Sequence, residues 1–228
     1  MLRSFDGTEP DIHDSAYVDP AAVVIGDVTL EAEASVWPNV TLRGDHGPIV
    51  LEEGANVQDN AVIHEGARVG PYATVGHTAI VHNAEVRERG LVGMGATVLD
   101  RSVVGERAMV GANSLVAEDT DVEPNTLYAG TPAEKVKEVE DSPWAYAGDR
   151  YVQLSREHME GSEPVVAHGA CVPVTCARAR TSPAITGPGS ATAAALPGDG
   201  TPRSSGDDSR QSVNVGFDTT ADRTSRGC

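Results

Sequence analysis

The feature that most constrains the fold is an aliphatic residue at every sixth position along much of the chain. One run begins at Ile12, and a second begins at Leu51, after the segment RGDHGPIV. A single five-residue step follows Val81, and the spacing of six then continues to Val122. We call these nineteen residues the aliphatic ladder: Ile12, Val18, Val24, Leu30, Val36, Leu42, Leu51, Val57, Ile63, Val69, Val75, Val81, Val86, Val92, Val98, Val104, Val110, Val116 and Val122.

A period of six fits neither an amphipathic helix nor a two-faced strand, whose periods are about 3.6 and about 2. It fits a coil of short strands that turns a corner every six residues, with Gly, Asn and Asp supplying the tight backbone angles. Three such sides make a triangular prism of about 18 residues per coil, with coils stacked about 4.8 Å apart. Residues 12–122 would form about six coils around one aliphatic core. The sequence therefore predicts an all-β solenoid over residues 1–132.

The segment after the solenoid, residues 133–162, is predicted to be a linker and an α-helix. Ser142 can cap the helix, and Pro143 stands at its first position, where a missing N–H is tolerated. One helix face has residues spaced by three and four, and we expect it to pack along the prism of its own chain or of a neighbour. That face consists of Trp144, Ala147, Tyr151, Leu154 and His158.

From residue 163 the composition changes and the ladder ends. The segment 163–228 is rich in Gly, Pro, Ser and Ala, so it can bury too little apolar surface to fold, and a disordered tail is predicted. The three cysteines, Cys171, Cys176 and Cys228, all lie there, so the predicted solenoid uses no disulfide. HGACVPVTC is only weakly metal-like. One hypothesis is that this segment arises from read-through or frame-shifted coding.

The net charge of the chain indicates which classes of partner it can bind. Residues 1–162 carry 11 Lys and Arg against 28 Asp and Glu, whereas residues 163–228 carry six of each, so the net charge of −17 lies on the first part. Such an acidic surface argues against nucleic acid and anionic membranes as partners. With lysine only at Lys135 and Lys137, it is typical of a halophilic protein, and an acidic mesophilic protein is the alternative. Because no signal-peptide pattern or membrane-length apolar stretch is present, we expect a cytoplasmic protein.

The predicted prism indicates which of three histidines lie close together in space. His64 and His82 each follow a ladder residue and are 18 residues apart, so they should stack about 4.8 Å apart and could share a metal. A five-residue step between Val75 and Ile80 would disturb this stacking. His77 lies nearly one prism side before His82, so it should instead reach the metal of a neighbouring chain. The pattern predicts a homotrimer with metal sites at its interfaces; three ordinary surface histidines are the alternative.

The motifs VWPNVTLRGD, NVQDNAVIH, VGHTAIVH, GLVGMGATVLD and LYAGTPAEKV resemble the gamma class of carbonic anhydrases in the hexapeptide-repeat superfamily. The resemblance covers about residues 10–160, and the histidine-containing motifs are far more specific than the ladder. It implies a left-handed parallel β-helix with a C-terminal helix, assembled as a trimer. It also implies reversible hydration of CO2 to bicarbonate by metal-bound hydroxide, with His64, His77 and His82 as the metal ligands.

The resemblance assigns roles to polar residues around these histidines. Gln58 would orient the metal-bound water, with Asn56 supporting it through a hydrogen bond. Arg43 and Asp59 would form a salt bridge across the subunit interface. Two further residues would border the site: Asp45 and Tyr128.

The chemistry is consistent with this resemblance. Three neutral histidines leave a metal position open for water, as in catalytic sites. A bound metal lowers the pKa of water to about 7, and after attack on CO2 a proton must reach solvent. Zn²⁺ is the default, and Fe²⁺ or Co²⁺ also suit imidazole ligands. The best-studied branch has a glutamate shuttle where this chain has His46, and a long acidic loop that is absent here. His46 is therefore a candidate shuttle, and Glu65 is a second.

Two other functions fit parts of the sequence. A hexapeptide acyltransferase or a coenzyme A thioesterase would share the ladder and the AGTPA segment, but such enzymes generally use histidine as a base. A non-catalytic metal-binding trimer could serve as a subunit of a larger assembly. Bound metal and hydration activity discriminate among the three.

Overall fold

The structure is a computed structural model, and it describes residues 1–140, 142–163 and 165. Within these residues the chain forms a left-handed β-helix of about seven turns with one C-terminal α-helix. The fold class predicted from the sequence is therefore confirmed, with about one turn more than the ladder alone indicated. The predicted disordered tail and its three cysteines lie outside the described residues, apart from residues 163 and 165.

Most strands are only two or three residues long because the chain turns a corner after each one. The strands are β1 (Leu2–Arg3), β2 (Asp11–Ile12), β3 (Tyr17–Val18), β4 (Val23–Leu30), β5 (Ser35–Val36), β6 (Thr41–Leu51), β7 (Asn56–Val57), β8 (Val62–His64), β9 (Arg68–Val69), β10 (Thr74–Val75), β11 (Ile80–His82), β12 (Glu85–Val86), β13 (Leu91–Val92), β14 (Thr97–Val98), β15 (Val103–Val104), β16 (Met109–Val110), β17 (Leu115–Val116), β18 (Asp121–Val122), β19 (Thr126–Gly130) and β20 (Ala133–Glu138). A 3-10 turn (Pro143–Tyr146) leads into α1 (Ala147–Gly161).

The strands form the three faces of a prism. Parallel pairing joins strands that are one coil apart, and β4 and β6 each run around a corner, so two faces are continuous through them. The first face contains β1, β8, β11, β14, β17 and the N-terminal halves of β4 and β6. The second contains β2, β9, β12, β15, β18 and the C-terminal halves of β4 and β6. The third contains β3, β5, β7, β10, β13, β16, β19 and β20.

The aliphatic ladder forms the core, as predicted. Every ladder residue from Val24 to Val122 is at most 2% exposed, and complete burial of one such side chain contributes about 1.5–3 kcal/mol. A second buried set, which the sequence analysis missed, lies two residues before the ladder, near the corners. It consists mainly of alanines: Ala22, Ala34, Ala55, Ala61, Ala67, Ala73, Ala79, Ala84, Ala96 and Ala108.

The corners differ from the prediction that Gly, Asn and Asp would supply their backbone angles. Asn60 and Asn113 do take left-handed angles, with φ of 60° and 56°. Tyr72 and Thr78, however, also take them, with φ of 54° and 60°. A β-branched residue in this region is a backbone outlier, so Thr78 is strained. The prediction for the corners is only partly right, because stacking between coils holds bulky residues in this conformation.

The chain leaves the solenoid through a hairpin rather than a plain linker. Strand β20 pairs antiparallel with β19, so the first part of the predicted linker is a strand. Ser142 then accepts a hydrogen bond from the Trp144 backbone N–H at 3.3 Å, which confirms the predicted cap. The helix predicted after it is present, with its first turn in 3-10 geometry.

Helix α1 packs on the third face, but the residues that it buries differ in part from those predicted. Its buried residues are Gly148 and Ser155, whereas Trp144, expected on the packed face, is 62% exposed. Tyr151 and His158 do pack inward, with ring centroids 5.4 and 5.0 Å from that of Trp37. The helix thereby covers part of the third face, at β3, β5 and β7.

Candidate metal centre

His64 and His82 lie side by side where the first face meets the second. They are aligned partners in the parallel pairing of β8 with β11, which places the five-residue step after Val81 and not between Val75 and Ile80. His64 Nδ1 lies 3.2 Å from His82 Nε2. The two side chains are 12% and 32% exposed, so the pair is accessible at the edge of the prism. The predicted stacking is therefore present.

The donor set of this pair fits a metal ion. Two nitrogen ligands bonded at 2.0–2.1 Å to a tetrahedral ion lie about 3.3 Å apart, close to the separation of these two nitrogens. Glu65 adds a carboxylate oxygen 3.9 Å from His82 Nε2, and the three residues form a possible cation-binding group. The pair leaves positions on an ion open for a third protein ligand and for water.

Each histidine of the pair also contacts an aspartate. Asp45 Oδ1 lies 3.1 Å from His64 Nε2, and Asp100 Oδ1 lies 2.5 Å from His82 Nδ1. Desolvation opposes ionisation of Asp45, but hydrogen bonds from Arg43 and His64 hold its pKa below the usual range. The hydrogen bond from His82 likewise lowers the pKa of Asp100, against some desolvation. Both carboxylates are therefore acceptors for imidazole N–H groups.

Arg43 and its neighbours bring the RGD motif to the same edge. Arg43 Nη1 donates to Asp45 Oδ2 at 2.7 Å, and its Nη2 lies 3.2 Å from His64 Nδ1. Gly44 between them is required by close packing, since a Cβ there would lie 2.3 Å from the Asp27 carbonyl oxygen. His46 is 68% exposed, with Nδ1 3.5 Å from Asp45 Oδ1.

His77 lies at a different edge, where the third face meets the first. It follows β10 and precedes β11, and its Nδ1 lies 2.8 Å from Asp59 Oδ2. Both side chains are about two-fifths exposed, at 42% and 39%. The next residue is the strained Thr78, whose hydroxyl donates to the His77 carbonyl oxygen at 2.6 Å. Within one chain the structure thus divides the three histidines into a pair and a single residue.

Gln58 and Asn56 lie on the third face with His77 and form an ordered amide network. Asn56 Nδ2 donates to the Ala73 carbonyl oxygen at 3.2 Å and to Thr74 Oγ1 at 2.9 Å. Because a carbonyl can only accept, this fixes the Asn56 amide, and its Oδ1 accepts from Gln58 Nε2 at 3.2 Å. Gln58 Oε1 remains available as an acceptor. Both residues are buried, at 0% and 6% exposure.

An apolar groove of about 330 Å³ runs beside Gln58 and His77 on the third face. Its walls include Met94 and Trp144, which are 59% and 62% exposed. Tyr151 of α1 also borders it; burial, and then the charge of Asp59, raises the pKa of this tyrosine. The groove thus places the polar groups of Gln58 and His77 beside an apolar surface.

Tyr128 takes a different place from the other predicted residues. It is the aligned partner of Val110 in β16 and continues the aliphatic ladder at the C-terminal end of the third face. Its side chain is partly buried and packs against the aliphatic core. Its position at the predicted pocket stays a prediction.

Sequence reasoning missed Asp100, although the residue stands at the end of the quoted motif GLVGMGATVLD. Its separation of 18 residues from His82, equal to that between His64 and His82, was the available signal. It was overlooked because no role is attached to that aspartate by the resemblance.

The chain is similar in sequence to proteins of known name. The chain is 41% identical over 143 residues to a carbonic anhydrase from Geobacillus kaustophilus, which spans 61% of this chain and 79% of the relative. The chain belongs to the gamma-class carbonic anhydrase family of hexapeptide-repeat proteins. The carnitine operon protein CaiE of Shigella flexneri is 38% identical to the chain over 142 residues, covering 60% of this chain and 72% of that relative. No model of a protein family matches the sequence.

A solved structure agrees with the fold. A hexapeptide transferase family protein from Anaplasma phagocytophilum superposes with a TM-score of 0.67 at 34% identity, covering 69% of this chain and 97% of that one. In the part of the chain that the structure describes, no helix has the length and apolar character needed to cross a membrane.

Proposed function

We propose that this family member is a metal-dependent carbonic anhydrase that hydrates CO2 reversibly to bicarbonate. The observation that carries the proposal is the 3.2 Å separation of His64 Nδ1 and His82 Nε2 at an accessible edge. That separation suits two ligands of one ion. Further support comes from the family and from a second half-site with His77, Gln58 and Asn56 on another edge.

The complete site forms between subunits of a homotrimer. His64 and His82 come from one chain and His77 from its neighbour, because the three lie at two separate edges of one prism. The ion is Zn²⁺ by default, with Fe²⁺ or Co²⁺ as alternatives for imidazole ligands. When bound, it supplies a Lewis acid that lowers the pKa of water to about 7 and so makes a nucleophile available for CO2.

Gln58 orients the attacking water. Its Nε2 is occupied by Asn56, so its free Oε1 accepts a hydrogen bond from the water and directs a lone pair toward CO2. Asn56 acts as a positioning residue, since its own amide is fixed by Ala73 and Thr74. Their burial keeps the two amides from turning toward solvent.

Arg43 and Asp59 join the half-sites in the trimer. In the single chain Arg43 lies beside His64 Nδ1, and Asp59 pairs with His77. A salt bridge from Arg43 to Asp59 of the partner subunit would draw the guanidinium away from the His64 lone pair. Asp45 would still accept from His64 Nε2 and hold the ring.

The proton leaves through His46 or Glu65. His46 is exposed and connects to His64 through Asp45, while Glu65 lies nearer to His82. Both groups border the histidine pair and reach solvent, as a shuttle requires.

The test is stopped-flow CO2 hydration by the trimer, loaded anaerobically with Zn²⁺ or Fe²⁺ in high salt, beside His82→Ala. We expect metal-dependent hydration in the wild-type protein, and loss of bound metal and of activity in the variant. A folded trimer with confirmed metal and no hydration would reject the assignment.

A complementation experiment tests the shared site. His77→Ala and His82→Ala chains are each expected to be inactive. When the two chains co-assemble at equal amounts, about a quarter of the interfaces combine an intact His77 with an intact His64 and His82 pair. Activity near that fraction is expected; none in confirmed mixed trimers would contradict a site shared between chains.

A second candidate is acyl transfer or thioester hydrolysis. The observation that favours it is the apolar groove beside His77 and Gln58, which could take an acyl chain. Acetyl coenzyme A is the probe: binding by calorimetry and thiol release would support this function. Absence of both, together with absence of hydration, would leave the non-catalytic assembly subunit as the remaining candidate.

A further inference from the structure

Every one of the three proposed ligands contacts a carboxylate of its own. His64 lies 3.1 Å from Asp45, and the His77–Asp59 and His82–Asp100 contacts measure 2.8 and 2.5 Å. Each pair joins two neighbouring coils, since its partners are 18 or 19 residues apart in the sequence. Asp100 is the aspartate to which the resemblance gives no role.

A neutral imidazole has one N–H and one lone pair, and its neighbours decide which nitrogen has which. A carboxylate accepts only, so Asp100 Oδ1 selects the form of His82 that carries its proton on Nδ1. The lone pair is then on Nε2, which faces His64 Nδ1 at 3.2 Å. Asp100 therefore determines both the tautomer and the direction of the ring.

Asp100 is itself held in place. Its second oxygen accepts from Asn83 Nδ2 at 3.4 Å, and the Arg101 backbone N–H donates to the Asn83 carbonyl oxygen at 2.7 Å. The Arg101 side chain points away, to Asp119 and Glu118 at 2.7 and 3.1 Å. Since Arg101 is engaged elsewhere, both oxygens of Asp100 remain with His82 and Asn83.

We propose that Asp100 is a positioning residue of the metal centre, which fixes the Nδ1–H tautomer of His82 and presents Nε2 to the ion. This inference rests on the proposed function for the identity of the metal ligands. It concerns the affinity for the ion rather than the chemistry of CO2. Carboxylate partners of metal-bound histidines typically change metal affinity by about 10- to 100-fold.

The first test measures Zn²⁺ affinity of the full-length trimer by competition with a chromophoric chelator. Asp100→Ala should weaken binding about 10- to 100-fold, whereas Asp100→Asn, whose amide oxygen still accepts, should recover part of it. The matched control is Asp121→Ala, which removes an exposed aspartate from β18 on the second face and should leave the affinity unchanged. Affinity of Asp100→Ala within twofold of wild type would overturn the proposal.

The second test is decided by the wild-type protein, so a folding effect of a substitution cannot produce its result. Long-range ¹H–¹⁵N correlation spectra of the metal-free protein should show the His82 proton on Nδ1, and Asp100→Ala should shift that population toward Nε2. A His82 proton found on Nε2 in the wild type would overturn the proposal.

Activity separates this inference from the proposed function. If the wild type hydrates CO2, saturating Zn²⁺ should restore most of the kcat of Asp100→Ala, because a positioning residue acts through metal occupancy. That kcat remaining low at full occupancy would count against the positioning role. If the wild type does not hydrate CO2 but Asp100→Ala still binds Zn²⁺ more weakly than wild type, only the carbonic anhydrase assignment is rejected.

Discussion

Replacing Gly148 with alanine should destabilise the protein, although helix propensity alone gives the opposite sign. Alanine is favoured over glycine in a helix by about 0.8–1 kcal/mol. A Cβ at Gly148, however, would lie 2.3 Å from the Tyr72 carbonyl oxygen and 2.8 Å from its carbonyl carbon and Cα. These are backbone atoms of a stacked coil, so they cannot move aside as a flexible side chain could. Relief of the clash requires α1 to move outward by about 1 Å.

That movement would loosen the contacts that attach the helix. Arg89 Nη1 donates to the Ala145 carbonyl oxygen at 3.0 Å, and Tyr151 packs on Trp37. Overpacking of this kind costs about 1–3 kcal/mol, so after the propensity gain we expect a net loss of up to about 2 kcal/mol. For a domain of this size the melting temperature should fall by up to about 8 °C.

Thermal and urea unfolding followed by circular dichroism measure this change. The matched control is Gly161→Ala at the end of the same helix, where an added Cβ meets nothing within 4 Å. This control should be neutral or slightly stabilising. If Gly148→Ala stabilises the protein as much as Gly161→Ala, the close approach of α1 to Tyr72 is wrong.

Four further outcomes are expected. His46→Ala should lower kcat for CO2 hydration about tenfold or more in weak buffer, with rescue by added imidazole, and Glu65→Gln should do so instead if Glu65 is the shuttle. Thr78→Asn should raise the free energy of unfolding by about 1 kcal/mol in urea titrations, because asparagine tolerates φ near 60°; a loss would contradict strain there. Melting temperature should rise between 0.1 and 2 M KCl as salt screens the net charge of −17, and a flat or falling profile would contradict the halophilic interpretation. The hydrogen bond from Arg89 holds the pKa of Asp149 below its usual range, so this pair should stabilise the fold above about pH 4 and lose its effect as pH falls; Asp149→Asn should lose less stability than wild type on acidification.

The ladder could be predicted from the sequence because period six has one structural meaning. Each ladder residue contacts its equivalents one coil away, so the pattern that fills the core is the pattern in the sequence. The same arithmetic predicted the alignment of His64 with His82, which the pairing of β8 with β11 bears out. Placing His77 at another edge also follows from counting, since five residues separate it from His82.

Features that depend on individual atomic contacts, rather than on the six-residue repeat, could not be predicted. The packed face of α1 was predicted only in part. Tyr151 and His158 do pack on the prism, but the close approach at Gly148, which has no apolar side chain, was missed. Strand β20 was missed because AEKVKE lacks the ladder and pairs only as an edge with β19. The amide directions of Gln58 and Asn56 depend on the Ala73 carbonyl oxygen, which no sequence pattern reveals.

The position of Asp100 could not be predicted correctly by counting residues along the repeat. Its separation of 18 residues from His82 suggests direct stacking, but the five-residue step after Val81 makes the next coil one residue shorter, so β11 aligns with β14 at an offset of 17. Asn83, not His82, is therefore the residue level with Asp100, as the hydrogen bond from Arg101 to Asn83 requires. The carboxylate reaches His82 Nδ1 diagonally across two coils, which directs Nε2 toward His64 rather than along the strand. A regular repeat would have placed Asp100 level with His82. The five-residue step shifts the register by one residue just after the histidine pair, so Asp100 lies level with Asn83 instead.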